Sequence, residues 1–140
     1  MATDAVPNGT LVDSNVFLDI LTDDPKWAPW SIETLERVLD QGPVAVNPIV
    51  YAEVSVGLDR IEELDAILPE TSFRREPLPY SASFLAGKAF LAYRHRGGTR
   101  SAPLPDFYIG AHAAVAGYRI LTRDAQRYRT YFPRVELITP

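Results

Sequence analysis

Four carboxylates stand out by where they fall: Asp13 in "LVDSN", Glu53 in "NPIVYAEVSVG", Asp106 in "LPDFYIG" and Asp124 in "LTRD". Asp13 closes a short apolar run, which puts it at the end of a strand. Asp106 follows a proline and Asp124 precedes a polar helical stretch, so each suits a helix N-terminus, where a carboxylate cap contributes ~1 kcal/mol. Glu53 has Ile49, Ala52 and Val56 at helical spacing around it, a pattern that turns it inward. A half-buried glutamate without a basic partner is costly unless it is neutralised or meets a cation. Singly, capping accounts for each aspartate. Together they ask for more, because two carboxylates 5 Å apart repel by roughly 3 kcal/mol at an effective dielectric of ~20. Four that converge need a cation. Oxygen-only ligands in an open cleft suit Mg2+ or Mn2+, which keep several waters and bridge to phosphates. The chemistry that follows is metal-assisted phosphodiester cleavage.

The elements that must position these side chains read as alternating strands and helices. Leu11–Val12 is a buried strand ending near Asp13, and "VFLDIL" continues as a helix until Pro25 breaks it. Ser31 caps "SIETLERVLDQG", whose Ile32, Leu35, Val38 and Leu39 share a face, and Gly42 ends that helix. "PVAVN" is a strand; Pro48 opens a helix that Gly57 stops; "DRIEELDAIL" is amphipathic and ends at Pro69. A brief strand near Ser72–Arg74 leads to a helix from about Ser81 to Arg96, with Phe84, Leu85, Ala89, Leu91 and Ala92 toward the core. "RGGTRSAPLP" is a basic loop. A helix after Pro105, the strand "RILT", a short helix from Asp124 and a last strand "VELIT" complete the chain. Such alternation predicts a mainly parallel sheet with helices on both faces. Ligands of such sheets bind beyond the carboxyl ends of the strands, where Asp13 and Asp124 fall.

Composition narrows the function classes. A chain of 140 residues, 46 % hydrophobic, supports one domain with a proper core. The absence of cysteine removes disulfides, zinc–thiolate sites and thiol nucleophiles, and two histidines, His95 and His112, are too few for a multi-histidine metal site. No stretch reaches the ~18 apolar residues of a membrane span. Residues 1–10 lack a basic start and an apolar segment, so a short flexible leader and a cytoplasmic protein are expected. The net charge of −4 hides an asymmetry: residues 1–70 hold fourteen acidic and three basic side chains, residues 71–140 four and eleven. That division hints at a polyanion or charged-protein partner.

"LVDSNVFLDIL", "NPIVYAEVSVG", "LPDFYIGAHAAVAGYRILTRDAQRYRTYFP" and the closing "VELITP" together resemble a PIN-domain nuclease, and more narrowly the VapC-type toxins of type II toxin–antitoxin pairs. The resemblance runs from Leu11 to Pro140 and is most specific between Pro105 and Pro133. It implies a three-layer α/β/α PIN domain over 11–140, with a twisted, mainly parallel sheet of about five strands. It implies that Asp13, Glu53, Asp106 and Asp124 are the catalytic, metal-binding acids, with Ser14, Asn15 and Thr122 placed to support them. An Mg2+- or Mn2+-dependent endoribonuclease is implied, directed at single-stranded RNA. It would often be a homodimer, silenced by a cognate VapB-type antitoxin whose C-terminal segment covers the acidic cleft. The alternative is a PIN-like RNA-binding module that has lost catalysis.

Other residues weigh less. Among Arg94, Arg96, Arg100, Arg123, Arg127 and Arg129, the sequence positions of Arg100 and Arg123 favour them for RNA phosphate contact. Tyr108, Tyr128 and Tyr131 could stack bases, though core packing is expected for at least two. His112, six residues past Asp106, reads as a bystander, and Trp27 and Trp30 as packing residues. A haloacid-dehalogenase-like phosphatase would need an acid where Asn15 stands. A receiver domain would need a lysine after a late strand, and Lys88 falls inside a helix.

Overall fold

The computed structural model describes residues 7–140. Five strands form one sheet in the order β3-β2-β1-β4-β5: β1 (Gly9–Val12), β2 (Val44–Val46), β3 (Arg74–Arg75), β4 (Tyr118–Leu121) and β5 (Leu137–Ile138). Every pairing is parallel. Seven helices complete the three-layer α/β/α architecture: α1 (Ser14–Leu21), α2 (Ala28–Gln41), α3 (Pro48–Ser55), α4 (Ile61–Ile67), α5 (Tyr80–His95), α6 (Pro105–Ala116) and α7 (Gln126–Tyr131). The expected fold class holds, and the sheet is wholly parallel. Covered on both faces, its inner strands read as apolar runs with no polar alternation, and Leu11, Val12, Val44, Ala45, Val46, Ile120 and Leu121 are all buried.

The strand order carries the argument about the site. From β1 the chain steps outward through β2 and β3, then returns to the other side of β1 as β4 and β5. The order therefore reverses between β1 and β4, which pair in register from Gly9↔Tyr118 to Val12↔Leu121. A crevice opens beyond the carboxyl ends of the two strands that flank such a reversal. The next residues in the chain are Asp13 and Thr122.

Several helices differ from expectation, for reasons that packing makes plain. Gly9 and Thr10, assigned above to the leader, are the first residues of β1, and Asn8 is tied to Gly117 O through its backbone N–H at 2.8 Å. Residues 1–6 of that leader lie outside the described residues. α2 starts at Ala28, not at Ser31; Pro29 opens it, and the Ser31 hydroxyl is buried and donates to Asp19 Oδ2 at 3.0 Å. Its buried stripe runs through Ser31, Thr34, Leu35 and Val38, which leaves Ile32 41 % exposed. On α5 the core face is Ala82, Ala86 and Ala89, while Phe84 and Leu91 point to solvent. Small side chains let α5 lie close to α6, and the bulkier apolar residues are displaced to the flank. A similar closeness appears on α6 itself, where a Cβ at Gly110 would stand 2.3 Å from the Phe132 ring. Gly117 ends α6 in the left-handed region (φ 73), which turns the chain directly into β4.

Candidate functional site

Asp13 occupies the crevice at the end of β1 and is only 4 % exposed. It is the N-cap of α1, and its Oδ1 accepts from Ser14 N at 2.8 Å. Its Oδ2 accepts from two hydroxyls, Thr122 Oγ1 at 2.9 Å and Tyr128 Oη at 2.8 Å. The main chain ties the same place across the seam, with Asp13 N donating to Leu121 O at 2.9 Å. One carboxylate is thus oriented from the start of α1, the loop after β4, and α7 at once.

Thr122, wholly buried, is the hub of that arrangement. While its hydroxyl donates to Asp13, its oxygen accepts from Asn15 Nδ2 at 3.2 Å and Asp124 N at 3.1 Å. Asn15 Oδ1 in turn accepts from Arg123 N at 3.1 Å. Ser14 Oγ donates to Glu53 Oε1 at 3.0 Å, which brings α3 into the same network. The structure therefore places Ser14, Asn15 and Thr122 in direct contact with the carboxylates or one bond away. Glu53 is half-buried, but not for the reason read from the sequence. Ala52 and Val56 are exposed, Val56 at 86 %, and α3 buries Val50 and Val54 instead, with Glu53 on the flank of that stripe facing Ser14.

Neither Asp106 nor Asp124 caps a helix. α6 begins at Pro105 with Leu104 as N-cap, and Asp106 is its second residue, in the first turn, where the helix dipole favours a negative charge. Asp106 Oδ2 accepts from Arg127 Nη1 at 3.3 Å. Asp124 lies two residues ahead of α7, exposed, on the wall of a cleft of ≈ 350 Å3 that Asp106 and Arg127 also line. Asp124 faces the cleft from outside the buried network.

The electrostatics follow from this crowding. Burial pushes the Asp13 carboxyl up to about 6; Asp106 adds to the rise and Glu53 adds less, while the hydroxyls of Tyr128 and Thr122 pull it down. Burial likewise raises Glu53, opposed by its bond from Ser14 and reinforced by Asp106. Asp106 is raised by burial first and by Asp124 to a smaller degree, with the Arg127 guanidinium holding it down. Three acids from three different elements thus disfavour each other's ionisation. Among the described residues, no three acidic or histidine side chains stand together as a group that could hold a metal ion, so the converging acids are at most an open set. Their donor set is oxygen alone, and an open set leaves coordination positions for water and a phosphate, which is what Mg2+ and Mn2+ require.

Arg123, expected at phosphate, is committed elsewhere. Its Nε and Nη2 donate to Asp19 Oδ2 and Oδ1 at 2.8 and 2.9 Å, and its guanidinium lies 5.7 Å over the Trp27 ring. Asp19 is 2 % exposed, so this pair clamps α1 to the loop after β4. Arg100 is exposed; its backbone, not its side chain, is engaged, through Arg94 Nη1 on its carbonyl at 2.7 Å. His112 is buried, and its Nδ1 meets Asn47 Nδ2 at 3.0 Å. Because Asn47 Oδ1 accepts from Val50 N at 2.9 Å, its amide nitrogen is the donor and His112 carries its proton on Nε2. That is structural work, in accord with its reading as a bystander.

Two residues of the site had no separate signal in the sequence. Tyr128 and Arg127 sit in the six-residue α7, too short for periodicity to say which side chain turns toward β1. Tyr128 is fully buried, and burial beside Asp13 raises its phenol well above the ordinary tyrosine range.

Comparison with known proteins places this geometry in a family. The model of the PIN domain matches residues 10–133. No curated protein matches. Among solved structures, a chain of VapBC2 from Rickettsia felis, bound to a DNA fragment from its promoter, is similar with a TM-score of 0.71. It is 16 % identical, over 94 % of this chain and 98 % of that one. A chain of FitAcB from Neisseria gonorrhoeae is 20 % identical over 92 % and 96 % of the two chains, with a TM-score of 0.69. A chain of DNA-bound VapBC from Salmonella typhimurium is 15 % identical over 94 % and 97 %, also with a TM-score of 0.69. At these identities the likeness is one of fold, and the family model spans nearly the whole chain: the protein belongs to the PIN domain family.

Proposed function

We propose that this PIN domain is a Mg2+- or Mn2+-dependent endoribonuclease, the toxin of a type II toxin–antitoxin pair. The observation that carries the reading is Asp13: a nearly buried carboxylate, raised to about 6, kept beside Asp106 and Glu53 at the mouth of the β1/β4 seam. Such an arrangement opposes folding unless a cation offsets it. Asp13 and Asp106, with Glu53 and Asp124, would hold the ion. With a divalent ion bound there, these residues would have beside them a more acidic water and an offset for charge on the phosphate and the leaving oxygen.

The chain's own residues do the rest. Ser14 N, Thr122 and Tyr128 fix the direction of the Asp13 carboxylate, and Ser14 Oγ fixes Glu53. The cleft beside Asp106 and Asp124, about 350 Å3, is also lined by Tyr93, Gln126, Arg127, Thr130 and Tyr131. Structural likeness to chains of VapBC and FitAcB supports a VapB-type antitoxin as partner, with homodimer formation and a cytoplasmic place of action as parts of the same proposal. No helix among the described residues is long and apolar enough to cross a membrane. Purified protein should cleave single-stranded RNA in Mg2+ or Mn2+, lose activity in EDTA, and lose it in Asp13→Asn and Asp106→Asn. Full cleavage by either variant would refute the site. RNA binding with no cleavage by the wild type would favour the inactive binding module.

A further inference from the structure

Among the described residues, Arg127 is the one basic side chain on the wall of the cleft that Asp106 and Asp124 share. Arg123 is bound twice to Asp19, Arg94 to Arg100 O, and Arg96 lies over the Tyr131 ring at 5.5 Å, while Arg100 and Arg129 are exposed away from this cleft. The Arg127 guanidinium itself lies 5.9 Å over the Phe107 ring. Arg127 touches Asp106 through a single N–H, at 3.3 Å. A well-formed guanidinium–carboxylate bond measures roughly 2.7–2.9 Å and is usually two-pronged, so this is a loose contact. The side chain is 39 % exposed, and its remaining N–H groups have no other hydrogen-bond partner among the described residues. The guanidinium thus stands within reach of both the carboxylate and anything bound in the cleft.

Building on the nuclease reading above, we infer that Arg127 is the substrate-binding residue that grips the RNA phosphodiester beside the acids, and that it competes with a divalent cation for Asp106. The two halves follow from one charge. A planar fork of N–H donors suits phosphate oxygens, and Arg127 presents that fork beside the carboxylates that would hold the ion. The same positive charge, sitting on Asp106, repels a divalent cation drawn to that carboxylate. Arg127 therefore strengthens binding of the polyanion and weakens binding of the metal. A residue that merely propped up the site would strengthen both.

The test compares wild type, Arg127→Ala and Arg127→Lys in the full chain, using Mn2+ alone and a fluorescent single-stranded oligonucleotide as separate probes. Arg127→Ala should bind the oligonucleotide about tenfold more weakly and flatten the slope of log K against log[salt] by about 0.7. It should bind Mn2+ about threefold or more tightly. Arg127→Lys should restore the salt slope without restoring full affinity, since a lysine keeps the charge and loses the fork. Unchanged oligonucleotide binding in Arg127→Ala, or weaker Mn2+ binding, would overturn the inference. Wild-type cleavage is scored separately: its absence defeats the proposed nuclease while the two binding measurements still judge Arg127.

Discussion

Replacing Asp13 by asparagine should make the metal-free protein more stable at neutral pH. Burial first, and then Asp106, raises the carboxyl from 3.8 to about 6. At 1.36 kcal/mol per unit, the charged form opposes folding by about 3 kcal/mol. Asparagine removes the charge, and its Oδ1 can still accept from Ser14 N. Its amide must then face the Tyr128 and Thr122 hydroxyls as a donor. Tyr128 can turn to accept, but Thr122 Oγ1 already receives Asn15 Nδ2 and Asp124 N, so one bond is compromised at about 1 kcal/mol. The net gain is about 2 kcal/mol, or roughly 5–8 °C in Tm for a chain of this size. The sign with pH is definite. A raised carboxyl means that the native state holds its proton more readily than the unfolded chain. The penalty is therefore present in full above about 6 and gone below the ordinary value of 3.8. Urea melts of both proteins in EDTA at pH 7.5 and pH 4 should show the advantage at the first and not at the second. Added Mg2+ should narrow it at pH 7.5, because the ion stabilises the native wild type selectively. An Asp13→Asn protein no more stable than wild type at pH 7.5, or equally favoured at pH 4, would refute the reasoning.

Arg123→Ala should destabilise the fold by about 2–4 kcal/mol, because it leaves the buried Asp19 without its guanidinium; a urea midpoint measures this, and combining it with Asp19→Asn should recover part of the loss. For His112, burial lowers the imidazole below its ordinary 6.5, so the unfolded chain takes up a proton that the native state resists. Its contribution is complete above 6.5 and is lost as pH falls toward the lowered native value, so the stability of wild type relative to His112→Gln should shrink between pH 7.5 and 5.5. A constant difference over that range would remove His112 from the account.

Much of the frame was legible because local chemistry and tertiary need agreed. The short apolar runs around Leu11, Val44 and Ile120 could only be covered strands, and Asp13 at the end of the first had to fall at the sheet's carboxyl edge. The helix faces were harder to read. On α5, the preference for large apolar residues pointed to Phe84 and Leu91, whereas close approach to α6 selects Ala82, Ala86 and Ala89. On α3 the visible apolar spacing passed through Ala52 and Val56, and the core takes Val50 and Val54. Arg123 illustrates the limit best. Its place between Thr122 and Asp124 suggested phosphate, but Asp19, 104 residues earlier, holds its side chain. A pairing of that range leaves no trace in spacing. Tyr128 was legible as an aromatic bound for the interior; that its hydroxyl would end on Asp13 was not.

The seam between β1 and β4 also sets when, during synthesis, a working site can first exist. Asp13, Glu53 and Asp106 are all made by the time the ribosome reaches the middle of α6. At that moment Asp13 has neither of the hydroxyls that aim its Oδ2, because Thr122 and Tyr128 have not been joined to the chain. β1 also lacks its neighbour on that side until Tyr118–Leu121 is extruded and docks. Contacts that span more than a hundred residues close late in folding. A nascent chain stalled in α6 consequently carries three of the four acids without the scaffold that makes them a site, and the site becomes competent only once the chain has been made past Tyr128.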